Sequence, residues 1–167
     1  MGETIYLAGP IVGLSYPDAA NWRIEVTPEL VAAGYRVLDP LRAERVLALD
    51  FADRPISDTN WAGVVEDPFK RDVWDIRRCD VVLADLTLER KVSRGTSFEL
   101  GMAYALGKGI VLVTTTAVDK LHPFLKGPAT VVCATLEDAI EWLCLERPAD
   151  AGSYTPSKVY DWGGGEA

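Results

Sequence analysis

The stretch Val92–Val113, "VSRGTSFELGMAYALGKGIVLV", joins a helix to a strand through glycine. Residues 94–109, "RGTSFELGMAYALGKG", read as a helix that starts on small polar residues and exits through glycine, the usual asymmetry of helix ends. The β-branched run "IVLVT" (110–114) that follows reads as a buried strand. One acidic residue, Glu99, lies inside the helix. On a helical wheel it falls with Met102, Ala103 and Leu106, on the face that packs on a sheet. Thr96-x-x-Glu99 fits a capping box, in which the glutamate reaches back to the amide of the cap residue. The other reading is a working group, because an ionised carboxylate on a packed face needs partners, and such groups gather at active centres.

Working outward, the same alternation repeats. "TIYLA" (4–8) is a strand followed by the turn "GPIVGLSYP". Asp18 to Ala33 reads as helical, with a restart at Pro28 for which Thr27 is the cap. "YRVLDP" (35–40) is a second strand, and residues 41–60 are polar and irregular, a candidate lid or binding loop. A helix runs from about Trp61 or Asp67 to Cys79, and "DVVLADL" (80–86) is the third strand. "TVVCA" (130–134) and the helix "LEDAIEWLCLE" (136–146) close the domain. Buried strands separated by helices predict an α/β fold: a flavodoxin- or Rossmann-like open parallel sheet of five strands, helices on both faces. It fills residues 1–146, and residues 147–167, rich in Gly, Pro and Ser, read as a tail. Ligands of such sheets bind outside the carboxyl ends of the strands, which selects the loops after Leu7, Leu38, Ala84 and Val113.

A chain of 167 residues suits one domain with a full core. Its net charge of −8 argues against a nucleic-acid polymer as partner and leaves room for a small nucleotide. Cys79, Cys133 and Cys144 lack metal-ligand spacing and read as buried free thiols, so the expectation is a cytoplasmic protein with no metal and no cofactor. The N-terminus lacks a signal-peptide pattern, and no apolar run approaches the roughly 20 residues of a membrane span.

Asp72 poses the same question as Glu99. In "DPFKRDVWDIRRCD" (67–80), Phe69, Val73, Ile76 and Asp80 share one stripe and Asp72 lies beside it. Lys70, Arg71, Asp75 and Arg78 fall on the outer arc, so Asp75 reads as a solvated charge. Asp72 is either a working carboxyl or an interior one paired with a neighbouring arginine. Ser93, Gly95 and Thr96 precede or open a helix, where exposed amides and the positive helix end can seat an anion, although the same pattern serves a plain turn. Tyr6 lies near the carboxyl end of the first strand, and Gly9-Pro10 follow it as a tight turn or part of a site. Asp85, at the same edge, reads as a structural salt-bridge partner. Two carboxylates, an anion seat and a tyrosine at one sheet edge suit glycosidic bond cleavage.

In that order and spacing, "IYLAGPI", "RDVWDIRRCDVVLADLT" and "VSRGTSFELGMAYALGKGIVLV" resemble the nucleoside 2-deoxyribosyltransferase superfamily over about residues 4–145. The resemblance implies that Glu99 is the nucleophile at C1' of the sugar, Asp72 the acid/base, and Tyr6 the residue that orients Glu99. Ser93 stands six residues before Glu99, where the transferases carry an aspartate for the sugar 5'-hydroxyl. In this the chain is similar to the nucleoside 5'-monophosphate N-glycosidase branch, which implies a phosphorylated substrate and water as acceptor. The alternatives are base exchange between deoxynucleosides and a non-catalytic nucleotide-binding module. Trp22-Arg23 or Arg42 is expected to supply positive charge for the phosphate. The resemblance also implies a homodimer or higher homo-oligomer with shared sites, in which His122 either reaches the neighbouring subunit's phosphate or is a surface loop histidine.

Overall fold

Alternation along the strands decides the layers of this domain. The computed structural model describes residues 2–42, 51–57, 68–87 and 93–145. In chain order it contains β1 (Thr4–Ala8), α1 (Tyr16–Ala32), β2 (Arg36–Leu38), α2 (Pro68–Arg78) and β3 (Val81–Asp85). Then follow α3 (Arg94–Ala105), β4 (Gly109–Val113), α4 (Pro123–Lys126), β5 (Val131–Cys133) and α5 (Leu136–Leu145). The strands pair in parallel in the order β2-β1-β3-β4-β5, with Tyr6 opposite both Leu38 and Val82. This is the flavodoxin-like order, and its switch point, where ligands of such folds bind, lies between β1 and β3.

Residues of one parity, Tyr6, Ala8, Val82, Ala84, Ile110 and Leu112, pack with Ile76 of α2 and with Leu100 and Ala103 of α3. Those of the other parity, Ile5, Leu7, Val81, Leu83, Val111 and Val113, pack with Val26 and Leu30 of α1 and Leu143 of α5. Period-two strands thus bury both faces, as the expected open parallel sheet requires. Because Tyr6 has the parity of the α2/α3 face, its side chain meets those helices.

Two expectations change. α1 runs unbroken through Pro28, and Thr27 is not a cap: its hydroxyl donates to the Arg23 carbonyl at 2.6 Å. Pro28 removes the donor for the Ile24 carbonyl, but Ile24 is 60% exposed, so water can serve that side. A proline inside a helix costs about 3 kcal/mol. Burial of Val26 and Leu30 on the sheet contributes about 1.5–3 kcal/mol each and holds the helix in register. Cys79 and Cys133 are buried thiols, whereas Cys144 is exposed, since Leu143 takes the core-facing position of α5.

Part of the 41–60 segment, the candidate lid or binding loop, is docked on the domain. Phe51 and Ile56 are buried against Ala19, Ala20 and Leu41. The Ile56 amide donates to the Leu14 carbonyl at 2.7 Å, and the Tyr16 amide to the Phe51 carbonyl at 2.9 Å. The remainder of that segment, the helix start before Pro68 and the tail from residue 146 lie outside the described residues. Among the described residues, no helix is long and apolar enough to cross a membrane.

Candidate active site

Tyr6, Glu99 and Asp72 converge on the α2/α3 side of the sheet. The buried Tyr6 hydroxyl donates to Glu99 Oε1 at 2.6 Å, across 93 residues of sequence. α3 begins one turn earlier than a capping box at Thr96 requires. Ser93 is the N-cap, accepting from the Thr96 amide at 3.0 Å, with the two hydroxyl oxygens 2.7 Å apart. Glu99 is therefore six residues beyond the cap, and its carboxylate turns to Tyr6 instead. Asp72 approaches from α2, where the Phe69 ring packs on Phe98 of α3 with centroids 5.6 Å apart. Phe69 lies one turn before Asp72 and Phe98 directly precedes Glu99, so this contact sets the two carboxyl-bearing helices side by side.

Burial dominates the electrostatics. Loss of water pushes Glu99 up to about 7; the Tyr6 hydrogen bond pulls down, the Asp72 charge pushes up, and Arg23 pulls down. Asp72 rises to about 6, again mainly through burial, against the pull of Arg71, whose Nε lies 3.4 Å from Asp72 Oδ1. The two carboxyls together hold about one proton between those values. Tyr6 is raised well above 10 by burial and then by Glu99 and Asp72, so it stays a hydrogen-bond donor. An ionisable pair holding one proton can supply a nucleophile and an acid from one site.

Residues 5–138 match the family model for nucleoside 2-deoxyribosyltransferase. The chain belongs to this family. No curated protein sequence matches it. Similar solved structures include the 2-deoxyribosyltransferase of Bacillus psychrosaccharolyticus, 20% identical with a TM-score of 0.59 over 82% of this chain and 90% of that one. The 2-deoxyribosyltransferase of Leishmania mexicana is 23% identical, TM-score 0.58, over 85% of this chain and 97% of that one. The CMP N-glycosidase BcmB of Clostridium botulinum is 22% identical, TM-score 0.52, over 87% of this chain and 100% of that one. At these identities the likeness is one of fold.

In this deoxyribosyltransferase-family chain, Gly9 and Pro10 are buried and follow Ala8 at the carboxyl end of β1. A Cβ on Gly9 would lie 3.0 Å from the Asp85 carbonyl oxygen and 3.1 Å from the Trp22 ring, so glycine lets the β1 exit pass close to the β3 exit. Ser93, Gly95 and Thr96 form the first turn of α3 as expected, with Thr96 buried and Gly95 exposed. The Ser93 oxygen already serves the helix cap.

Arg23 is not where a surface phosphate receptor would be. Its side chain is 0% exposed: Nη2 donates to the Gly9 carbonyl at 3.1 Å, Nη1 to the Ala19 carbonyl, and Nε lies 3.7 Å from Asp39 Oδ1. Arg42, the other candidate, pairs with Asp75 Oδ2 at 2.6 Å, in an ion pair whose geometry is not that of a hydrogen bond. Asp75 itself is fully buried, not solvated, and also takes Arg78 Nη2 at 2.7 Å. The segment after β2 crosses α2, where Arg71 Nη2 also reaches the Pro40 carbonyl at 2.5 Å. It covers the arc that an isolated helical wheel leaves to solvent. Phe69, expected on the buried stripe, is 61% exposed and packs on Phe98. Asp85 accepts from the Thr87 amide at 2.9 Å, and among the described residues it forms no salt bridge.

His122 caps α4: its Nδ1 accepts from the Phe124 amide at 3.3 Å and its ring stacks on Phe124. It lines a groove between α3 and α4 whose walls include none of Tyr6, Asp72 or Glu99. Within one chain His122 is thus apart from the carboxyls. Asp39 is a site support that local motifs missed, while Arg23 and Asp75, both singled out in the sequence, are buried rather than exposed. The signal for Arg23 was its place on the apolar stripe of α1, with Ala19, Val26 and Leu30.

Proposed function

We propose that the chain is an N-glycosidase that cleaves the base–sugar bond of a (deoxy)ribonucleoside 5'-monophosphate, giving free base and sugar 5-phosphate. The Tyr6–Glu99 hydrogen bond carries this reading. With Oε1 held by the tyrosine at 2.6 Å, Oε2 is the oxygen presented to C1' of the sugar. Attack forms the Oε2–C1' bond as the C1'–N bond breaks, and Asp72 gives its proton to the departing base. Water then attacks C1', losing its proton to Asp72, and Glu99 leaves as a carboxylate. The tyrosine keeps the carboxylate oriented through both steps.

Ser93 supports the phosphorylated substrate. At the start of α3 it adds no negative charge, and the first-turn amides and positive helix end favour an anion. Base exchange between deoxynucleosides is the second reading, favoured by the family match over residues 5–138. Incubating the protein with nucleosides and monophosphates, with and without a second free base, and separating the products tests both. Free base and sugar 5-phosphate from monophosphates alone support the first; exchange without net hydrolysis supports the second. No turnover of any member leaves a non-catalytic binding module.

The groove between α3 and α4, of about 820 Å³, supports a homodimer or higher homo-oligomer with shared sites. Tyr104 and Phe124 on its walls are 56% and 83% exposed, apolar surface of the kind that marks protein contacts. In such an assembly His122 enters the neighbouring site, and sedimentation at several concentrations gives the subunit number. The free thiols at Cys79 and Cys133 fit a reducing, cytoplasmic setting.

A further inference from the structure

Arg23 is a buried charge in search of a purpose. Replacing a buried ionic group by a well-packed apolar one is often neutral or stabilising, so a fully buried guanidinium is weak evidence for stability alone. Among the described residues its Nε has no hydrogen-bond partner, and its ion-pair partner, Asp39, is 3.7 Å away and 23% exposed. The guanidinium is tied instead to the turn that leaves β1, through the Gly9 carbonyl, and it stacks on the Trp22 ring at 4.5 Å. A Cβ on Gly9 would come within 3.3 Å of Nη2, so the charge lies directly against the residue that follows Ala8 at the exit of β1.

Among the described residues, the charged and titratable groups acting on the nucleophile are Tyr6 of β1, Asp72 of α2 and Arg23 of α1. Asp72 in turn feels Arg71 and Asp75 of its own helix and Arg42 after β2. Arg23 feels Asp39 after β2, Tyr6, Glu99, and Asp85 at the end of β3. The field of Arg23 thus reaches Glu99, whereas Arg71 and Arg42 act on Asp72.

We propose that Arg23 is a positioning residue of the nucleophile: a counter-charge at the exit of β1 that biases the proton shared by Glu99 and Asp72 toward Asp72. This rests on the glycosidic reading, in which Glu99 must be ionised while Asp72 is protonated. Burial by itself does the reverse, drawing the proton to the more deeply desolvated Glu99. A cation anchored on backbone carbonyls opposes that tendency without occupying the substrate space. Asp39, pairing with Arg23 from the far side, tempers its field.

Carboxyl ¹³C NMR titration of the full chain reads the ionisation of Glu99 directly, its signal being identified by loss in Glu99→Gln. In Arg23→Met, which keeps length and removes charge, the Glu99 midpoint should rise by about one pH unit, and Arg23→Lys should restore most of it. Asp39→Asn, which keeps the oxygen that accepts from the Leu41 amide, should lower the midpoint. The alkaline limb of kcat/KM should move with the midpoint in each variant. A folded Arg23→Met protein with an unchanged Glu99 midpoint overturns the proposal. Should that variant not fold, Asp39→Asn decides: a lowered midpoint supports the proposal, and an unchanged or raised one overturns it. Since the NMR titration needs no turnover, a wild-type protein that cleaves nothing removes the glycosidase reading while Arg23 is still tested.

Discussion

The substitution Glu99→Gln keeps the shape of the side chain and its acceptor for the Tyr6 hydroxyl, and removes only the ionisable group. Burial, opposed by the Tyr6 hydrogen bond and reinforced by Asp72, raises the folded-state value of Glu99 from 4.5 to about 7. The folded protein therefore prefers the neutral carboxyl. The associated stability is fully present below about 4.5 and is lost as pH rises through about 7. At about 1.4 kcal/mol per pH unit, wild type carries a penalty of roughly 3 kcal/mol by pH ~8.5 that glutamine does not. For a domain of this size that corresponds to a melting temperature roughly 6–12 °C higher in the variant. At pH ~5 the gap should shrink below about 1 kcal/mol, because wild-type Glu99 is then mostly neutral when folded. Urea unfolding of both proteins at the two pH values, with equal m-values, measures the difference. Cleavage should be lost in the same variant, since an amide cannot form the glycosyl ester. A Glu99→Gln protein no more stable than wild type at pH ~8.5 would refute the reasoning, whatever its activity.

Three further outcomes follow from the same geometry. The pH profile of kcat/KM should be bell-shaped with a maximum between about 6 and 7: below Asp72's value both carboxyls are protonated and no nucleophile remains, and above Glu99's both are ionised and no acid remains. A rate still rising beyond pH ~9 would remove Asp72 as the acid. Asp72→Asn should lower turnover by about 10²–10⁴-fold, least for bases that leave without protonation, as steady-state assays with a graded series of leaving groups will show. Ser93→Asp puts a carboxylate at the α3 start, where it can accept from the cap amide as serine does but repels a phosphate. The ratio of kcat/KM for a monophosphate over its nucleoside should fall on the order of a hundredfold, and an unchanged ratio places the phosphate elsewhere.

The elements of the sheet were readable because a doubly covered parallel strand needs no partner to declare itself: "TIYLA", "VVLAD" and "GIVLV" are near-continuous apolar runs. Helix ends were read less well. Thr96 resembles a cap by its spacing to Glu99, but Ser93 takes that place, and which of two nearby hydroxyls caps a helix depends on where the chain enters the turn. Pro28 forecast a break that the buried Val26 and Leu30 override. Asp75 shows the same limit: helical periodicity can mark an outer arc, but not that Arg42, 33 positions away, will cross it and bury the carboxylate. By itself the sequence determined the strands, their covering helices, the family resemblance and the candidacy of Tyr6, Asp72 and Glu99. Only the tertiary structure decided that Tyr6 and Glu99 share a 2.6 Å hydrogen bond, that Arg23 is buried on the Gly9 and Ala19 carbonyls, and that His122 faces a separate groove. Strands and helices follow from local patterns of apolar side chains, whereas the partners of a buried charge are set by which distant elements the sheet order brings together.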